Sequence, residues 1–182
     1  MELWECLDSE RIPTGRVAER GSSLQKGEYH LVVHACVFSS DERMLIQRRH
    51  PEKELWPSLW DITMGGSAVA GESSAQAASR ELSEEVGITL DFKGKRPGLS
   101  VNYRQSFDDF YIVRWDGDIN TLKLQPEEVC EVRWACREEI HELIRVGVFV
   151  PYYHSLIDIL FDINQNETLI DWKRLNERGN LS

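Results

Sequence analysis

Residues 66–88 read GSAVAGESSAQAASRELSEEVGI, and the rest of the chain is organised around them. Ser73 and Gln76 stand at capping-box spacing, so a helix is predicted to start near Ser74. Gly87 suits its end, because glycine adopts the left-handed conformation of a helix C′ position without steric penalty. Between them Ala75, Ala78, Leu82 and Val86 form one apolar stripe at helical spacing. Glu81, Glu84 and Glu85 share a face beside that stripe, at the edge of the surface the helix buries. Like charges packed so closely destabilise a helix unless a cation neutralises them. Hard divalent cations do so, and Mg²⁺ commonly combines carboxylates with waters and substrate phosphates. A bare Glu-Glu pair more often marks a solvated face. Here Glu72, Arg80 and two glycines stand at fixed positions around the acids, which favours a metal site.

As a pattern, Gly66, Glu72, Arg80-Glu81-Leu82, Glu84-Glu85 and Gly87-Ile88 have the spacing of the Nudix box, with every specified position matched. On these residues the chain resembles the Nudix hydrolase family. The resemblance implies Mg²⁺ as cofactor, with Mn²⁺ as the alternative ion, on Glu81, Glu84 and Glu85 and on the carbonyl of Gly66. It implies that Arg80 pairs with a box glutamate and orients it. Glu72 is expected to hold the loop before the helix. Family members are often dimers, so a homodimer is an expected assembly.

At 182 residues the chain is read as one domain, residues 29–182, with residues 1–28 as an extension packed on it. The formal net charge of −10 argues against long DNA or RNA as a partner, since a nucleic-acid footprint is basic. A small phosphorylated ligand stays compatible, given metal ions and a local basic cluster. Met1-Glu2-Leu3-Trp4-Glu5 is acidic and has neither part of a signal peptide, and no apolar run approaches membrane-spanning length. Cys6, Cys36, Cys130 and Cys136 are scattered without a CxxC pair, which fits a reducing cytoplasm, and Cys36 reads as a core residue.

Along the chain, residues 4–7 and 16–18 are predicted to pair as a hairpin across a turn-rich stretch. Residues 29–38 (YHLVVHACVF) read as a central strand, with His30 and His34 on one of its faces. His30 reads as a hydrogen-bonded histidine at the core edge, the alternative being a metal or phosphate contact. A turn leads to a strand over residues 44–49. Arg48, Arg49, His50 and Lys53 then form the basic cluster nearest the box. Arginine forks suit phosphate oxygens, so Arg48, Arg49 and Lys53 are candidate substrate contacts, the alternative being a solvated turn. Of the two tryptophans before the box, Trp60 reads as core and Trp56 as a pocket residue.

After the helix, residues 89–92 are predicted to be a short strand, and residues 99–105 and 107–115 a pair of strands. Asp108 or Asp109 could join the metal shell or simply face outward. The loop of Gln125, Pro126, Glu127 and Glu128 resembles the Nudix loop whose acid supplies a further metal ligand or the general base. Glu84, Glu127, Glu128 and Asp109 all stay open as that base. Helices are predicted from Arg137 to about Val146 and over roughly residues 152–161, with a short helix or tail beyond Asn164. Strands around one helix, with helices at the end, give an α+β pattern. The resemblance sharpens this to the Nudix fold, an α/β/α sandwich around a mixed β-sheet with an N-terminal β-hairpin extension.

Residues 30–67 also resemble type 1 isopentenyl diphosphate isomerases. There the loop before the box carries a catalytic cysteine and, two positions on, a metal-binding histidine. This chain has Gly65 and Ser67 at those positions and keeps the box whole. The expectation is therefore isomerase-like architecture with hydrolase chemistry: metal-assisted cleavage of a small diphosphate, with Glu84 or Glu128 accepting the water's proton. Isomerase activity and a non-catalytic nucleotide-sensing module are the alternatives.

Overall fold

The structure, a computed structural model, describes residues 2–166. The chain opens with an antiparallel hairpin of β1 (Leu3–Leu7) and β2 (Pro13–Glu19). Asp8 Oδ1 shapes its turn by accepting from the backbone N–H groups of Glu10 and Ile12, at 2.8 and 2.9 Å. The hairpin is tied to the body by reciprocal backbone bonds between Leu7 and Tyr29 and by Ala70 N–H donating to Leu3 O at 2.8 Å.

β3 (His30–Phe38) is the central strand. It is followed by β4 (Met44–Arg49), β5 (Trp60–Asp61), β6 (Met64–Ser67) and helix α1 (Ser74–Val86). Then come β7 (Leu99–Tyr103), β8 (Ser106–Arg114), β9 (Val129–Ala135), α2 (Arg137–Arg145) and α3 (His154–Gln165). β3 pairs in parallel with β8 along its whole length and antiparallel with β6 over residues 32–35. β4 takes β9 on one edge and β5 on the other, both antiparallel. Among the described residues the result is a mixed seven-stranded sheet.

Strand alternation divides the core in two. Val33, Ala35, Val37 and Leu45 face α1 and meet Ala77, Ala78, Leu82 and Val86. Cys36, Phe38, Met44 and Ile46 face the opposite way and meet Ile140, Ile157, Leu160 and Phe161 of α2 and α3. This is the expected three-layer sandwich. Among the described residues no helix is long and apolar enough to cross a membrane.

Two expectations need correction. Residues 89–92 form no strand: Phe92 is fully buried against Tyr111, and its N–H donates to Ser79 Oγ of α1 at 3.1 Å. Side-chain packing, rather than a backbone ladder, fixes that segment. The last helix begins later than predicted and runs to Gln165, with Tyr153 as its N-cap. The predicted tail lies mostly outside the described residues.

Candidate active site

Helix α1 is fixed at both ends by its own sequence. Ser73 Oγ accepts from Gln76 N–H at 3.3 Å, and Gln76 Oε1 accepts from Ser73 N–H at 2.9 Å. Gly87 ends the helix at φ 74°, and a Cβ there would lie 2.8 Å from the Lys123 backbone nitrogen. So pinned, the helix buries two of its three box acids: Glu81 and Glu85 are 8% and 6% exposed, while Glu84 is open to solvent.

Arg80 bridges the helix to the loop before it. Its Nε and Nη2 donate to the two oxygens of Glu72 at 2.7 and 2.9 Å, and Nη1 donates to Glu84 at 3.0 Å. Nη2 also reaches the Ser67 carbonyl at 3.3 Å, and Nη1 lies 3.1 Å from Glu81. Glu72 in turn accepts from Val69 N–H at 3.0 Å. The Arg80 guanidinium holds the Glu72 carboxyl below the usual carboxylate range.

Glu81, Glu84 and Glu85 open onto a cavity of about 450 Å³ shared with Gly66, Arg49, Lys53 and Glu128. Burial pushes the Glu85 carboxyl up to about 8, and the charges of Glu81 and Glu128 add to the effect. Gln47 Nε2, donating to Glu85 at 3.2 Å, opposes it weakly. Burial raises Glu81 as well, against the pull of Arg80. Two neighbouring acids that resist ionisation at the floor of a cavity are a receptor for positive charge.

The donor set suits a hard cation. Among the described residues no three His, Cys, Asp or Glu side chains converge into a closed cage. Mg²⁺ does not require one, since it takes one or two carboxylates and completes its shell with waters and phosphate oxygens. Glu81 and Glu85 would supply the carboxylates and Gly66 a backbone oxygen. Gly66 lies so close to the helix that a Cβ on it would stand 2.4 Å from Glu81 Cδ.

Behind the cavity wall sits a network that the sequence reading does not include. Arg49 Nη1 donates to Asp61 at 3.2 Å, and Arg49 Nε to the Leu55 carbonyl at 3.1 Å. Tyr152 O–H donates to the other Asp61 oxygen at 2.9 Å. Burial raises the Asp61 carboxyl, against the opposing charge of Arg49. Gln47, Glu2 and Arg20 are likewise additions to the sequence reading. Only Gln47 had a signal, since alternation along β4 puts it on the face of Leu45 and Arg49.

Arg49, Lys53, Arg80, Glu81, Glu84, Glu85, Gly66 and Glu128 are thus gathered around one cavity. Lys53 is ion-paired with Glu128. Arg48, Trp56 and His30 do not line it. Arg48 leaves β4 on the opposite face from Arg49 and donates to the Ser58 carbonyl at 3.2 Å. Trp56 is 47% exposed in a turn with left-handed backbone, φ 53°. His30 stacks on Trp4 of the hairpin at 4.1 Å. Glu127 is exposed outside the cavity. Asp109 is held away from it by Arg11, Ser74 and Ser100, and Asp108 by His34 and Ser106.

The NUDIX domain profile matches residues 28–151. The chain belongs to the Nudix family. An uncharacterised Nudix hydrolase of Listeria monocytogenes is 40% identical over 169 residues, spanning 93% of this chain and 99% of the relative. An isopentenyl-diphosphate Delta-isomerase of Pectobacterium atrosepticum is 29% identical over 140 residues, spanning 74% of this chain and 76% of the isomerase. A crystal structure from Deinococcus radiodurans superposes with a TM-score of 0.70 at 24% identity, covering 87% of this chain and 97% of that one. At that identity the likeness speaks to the fold.

For this Nudix chain the Gly66 contact gives a direct test. In Gly66→Ala the new methyl group meets the flexible end of Glu81 rather than backbone, so the fold is expected to survive with Tm lowered by only a few degrees. The displaced Glu81 carboxylate is expected to weaken Mn²⁺ binding, read by electron paramagnetic resonance, at least about tenfold. Unchanged Mn²⁺ affinity would remove Gly66 and Glu81 from the metal site.

Proposed function

We propose that this chain is a Mg²⁺-dependent hydrolase of a phosphoanhydride bond in a small diphosphate, a nucleoside diphosphate derivative or an isoprenoid diphosphate. The observation that carries the reading is the buried pair Glu81 and Glu85, facing a cavity that Arg49 and Lys53 also line. Bound there, Mg²⁺ supplies charge neutralisation of the phosphates and a lowered pKa for water. Glu81, Glu85 and the Gly66 carbonyl would hold the ion. Arg49, kept in place by Asp61 and the Leu55 carbonyl, and Lys53 hold phosphoryl oxygens in line with the attacking water. Glu84 or Glu128 accepts the water's proton. The first is oriented by Arg80 and the second by Lys53. Fixed charges around the phosphates supply most of the acceleration.

The isomerase alternative meets a specific obstacle. Gly65 pairs with His34 across β6 and β3, and a Cβ at Gly65 would lie 3.0 Å from His34 Nδ1. The position where isomerases carry a reactive cysteine is therefore tight against the His34 ring, which would have to give by a few tenths of an ångström to admit a side chain. The discriminating experiment measures phosphate and mononucleotide release from a panel of nucleotide and isoprenoid diphosphates, with Mg²⁺ and with chelator. Cleavage of one class that requires metal is the expected result. Conversion of isopentenyl diphosphate without phosphate release would favour the isomerase. Tight binding of a panel member with no turnover would favour a sensor.

A further inference from the structure

Among the described residues four cations line the cavity, and their partners differ in kind. Arg49 is paired with Asp61, whose side chain is 8% exposed; Arg80 with Glu72, 18% exposed; and Lys53 with Glu128, 29% exposed. Arg20, the fourth, comes from the N-terminal hairpin. It is the residue after β2, its backbone N–H donates to the Glu2 carbonyl at 3.0 Å, and its Nη1 lies 2.6 Å from Glu2 Oε2. Its side chain is 52% exposed, the most open of the four. Glu2 raises the Arg20 pKa, and Glu81 and Glu128 add to the effect, so the guanidinium is within electrostatic reach of one box acid and of the later loop acid. An exposed ion pair contributes little, whereas separating a buried one is costly. Of the four cations, Arg20 is the one that can change partner at least cost.

We infer that Arg20 is a substrate-binding residue which exchanges Glu2 for an anionic group lying beyond the metal-held diphosphate, and that the site therefore prefers ligands with a third phosphoryl group. The inference rests on the diphosphate reading above and narrows its substrate class to polyphosphate esters, away from simple isoprenoid diphosphates. Glu2 is then a built-in competitor, because its carboxylate occupies the fork that the third phosphoryl needs. A guanidinium fork binds phosphate oxygens in two parallel hydrogen bonds, which Glu2 meets with one. The hairpin, placed by Ala70 N–H donating to Leu3 O, is the element that brings Arg20 to the cavity.

The test is isothermal titration of the full chain with inorganic pyrophosphate and with tripolyphosphate in Mg²⁺, for wild type, Arg20→Gln and Glu2→Gln. Wild type is expected to bind tripolyphosphate about tenfold more tightly than pyrophosphate. Arg20→Gln is expected to bring that ratio to about one, and Glu2→Gln to widen it roughly threefold by removing the competitor. Using the ratio cancels any general loss of folded protein. A wild-type ratio near one, or the same preference in Arg20→Gln, overturns the role of Arg20 and leaves the diphosphate site standing. Failure of wild type to bind either anion overturns the diphosphate reading and this inference together.

Discussion

Glu85→Gln is expected to abolish metal-dependent hydrolysis, by roughly 10³-fold or more, and at the same time to make the metal-free protein more stable. Burial and the charges of Glu81 and Glu128 hold the Glu85 carboxyl up at about 8, against its ordinary 4.5. The folded state therefore keeps a proton that the unfolded state releases. The sign follows from linkage: the contribution is full below the ordinary value, falls as pH rises from 4.5 to about 8, and stays low above that. Glutamine mimics the protonated acid and can still accept from Gln47. Near pH 8 and without metal, the variant is expected to exceed wild type by a few kcal/mol, or about 5–10 °C in Tm. Saturating Mg²⁺ should offset much of that advantage, since a ligand at 100 times its Kd adds about 2.7 kcal/mol to the form that binds it. Thermal melts at pH 5 and pH 8, with Mg²⁺ and with chelator, read all four corners. A wild type that is the more stable at pH 8 in chelator would show that Glu85 is already neutralised from within the protein.

The second large effect concerns Arg80. Its guanidinium ties Glu72 and Glu84 together, reaches the Ser67 carbonyl and lies beside Glu81. Arg80→Met keeps the stem and removes the fork, leaving the partly buried Glu72 carboxylate without its cation. Breaking such a pair from one side is expected to cost about 3 kcal/mol, or about 10 °C in Tm at this chain length. Turnover is expected to fall by roughly 10²-fold, because Glu81 and Glu84 lose the group that positions them. Arg80→Lys should restore part of the Tm but little turnover, since one ammonium cannot span Glu72 and Glu84 as a planar fork does. The pH dependence checks the cause. Glu72 is held below its ordinary 4.5, so the stability it shares with Arg80 is present above that value and lost as pH falls through the lowered one. The gap between wild type and Arg80→Met should therefore close in acid. A gap that does not narrow at all as the pH is lowered would point to lost packing instead.

The fold was legible wherever the signal was local or periodic. Ser73, Gln76 and Gly87 announce both ends of α1, and the alternation of residues 33–38 sorts them between two helix layers. Residues 89–92 were misread because Phe92 is apolar for a reason other than strand pairing: it plugs the core under α1. At the site, the box acids, Arg49, Lys53 and Glu128 were readable because they sit close to the motif or in its usual loops. Arg48 was grouped with Arg49 by adjacency, yet period-two geometry sends neighbours to opposite faces. Asp61–Tyr152 and Arg20–Glu2 could not be read at all. Each depends on where a distant segment docks, and neither has a spacing of its own.

The parallel ladder between β3 and β8 bears on how the protein is made as well as on what it does. It joins residue 30 to residue 106 and residue 38 to residue 114, so the middle of the sheet closes only after most of the chain has been synthesised. Helix α1 is encoded locally and can form early, but β8, the neighbour of β3 on one edge, arrives late. Such non-local pairing places folding on the slow side for a domain of this size. While β3 waits, its Val33, Cys36, Val37 and Phe38 lack their partners and stand as a sticky, unpaired edge on the nascent chain.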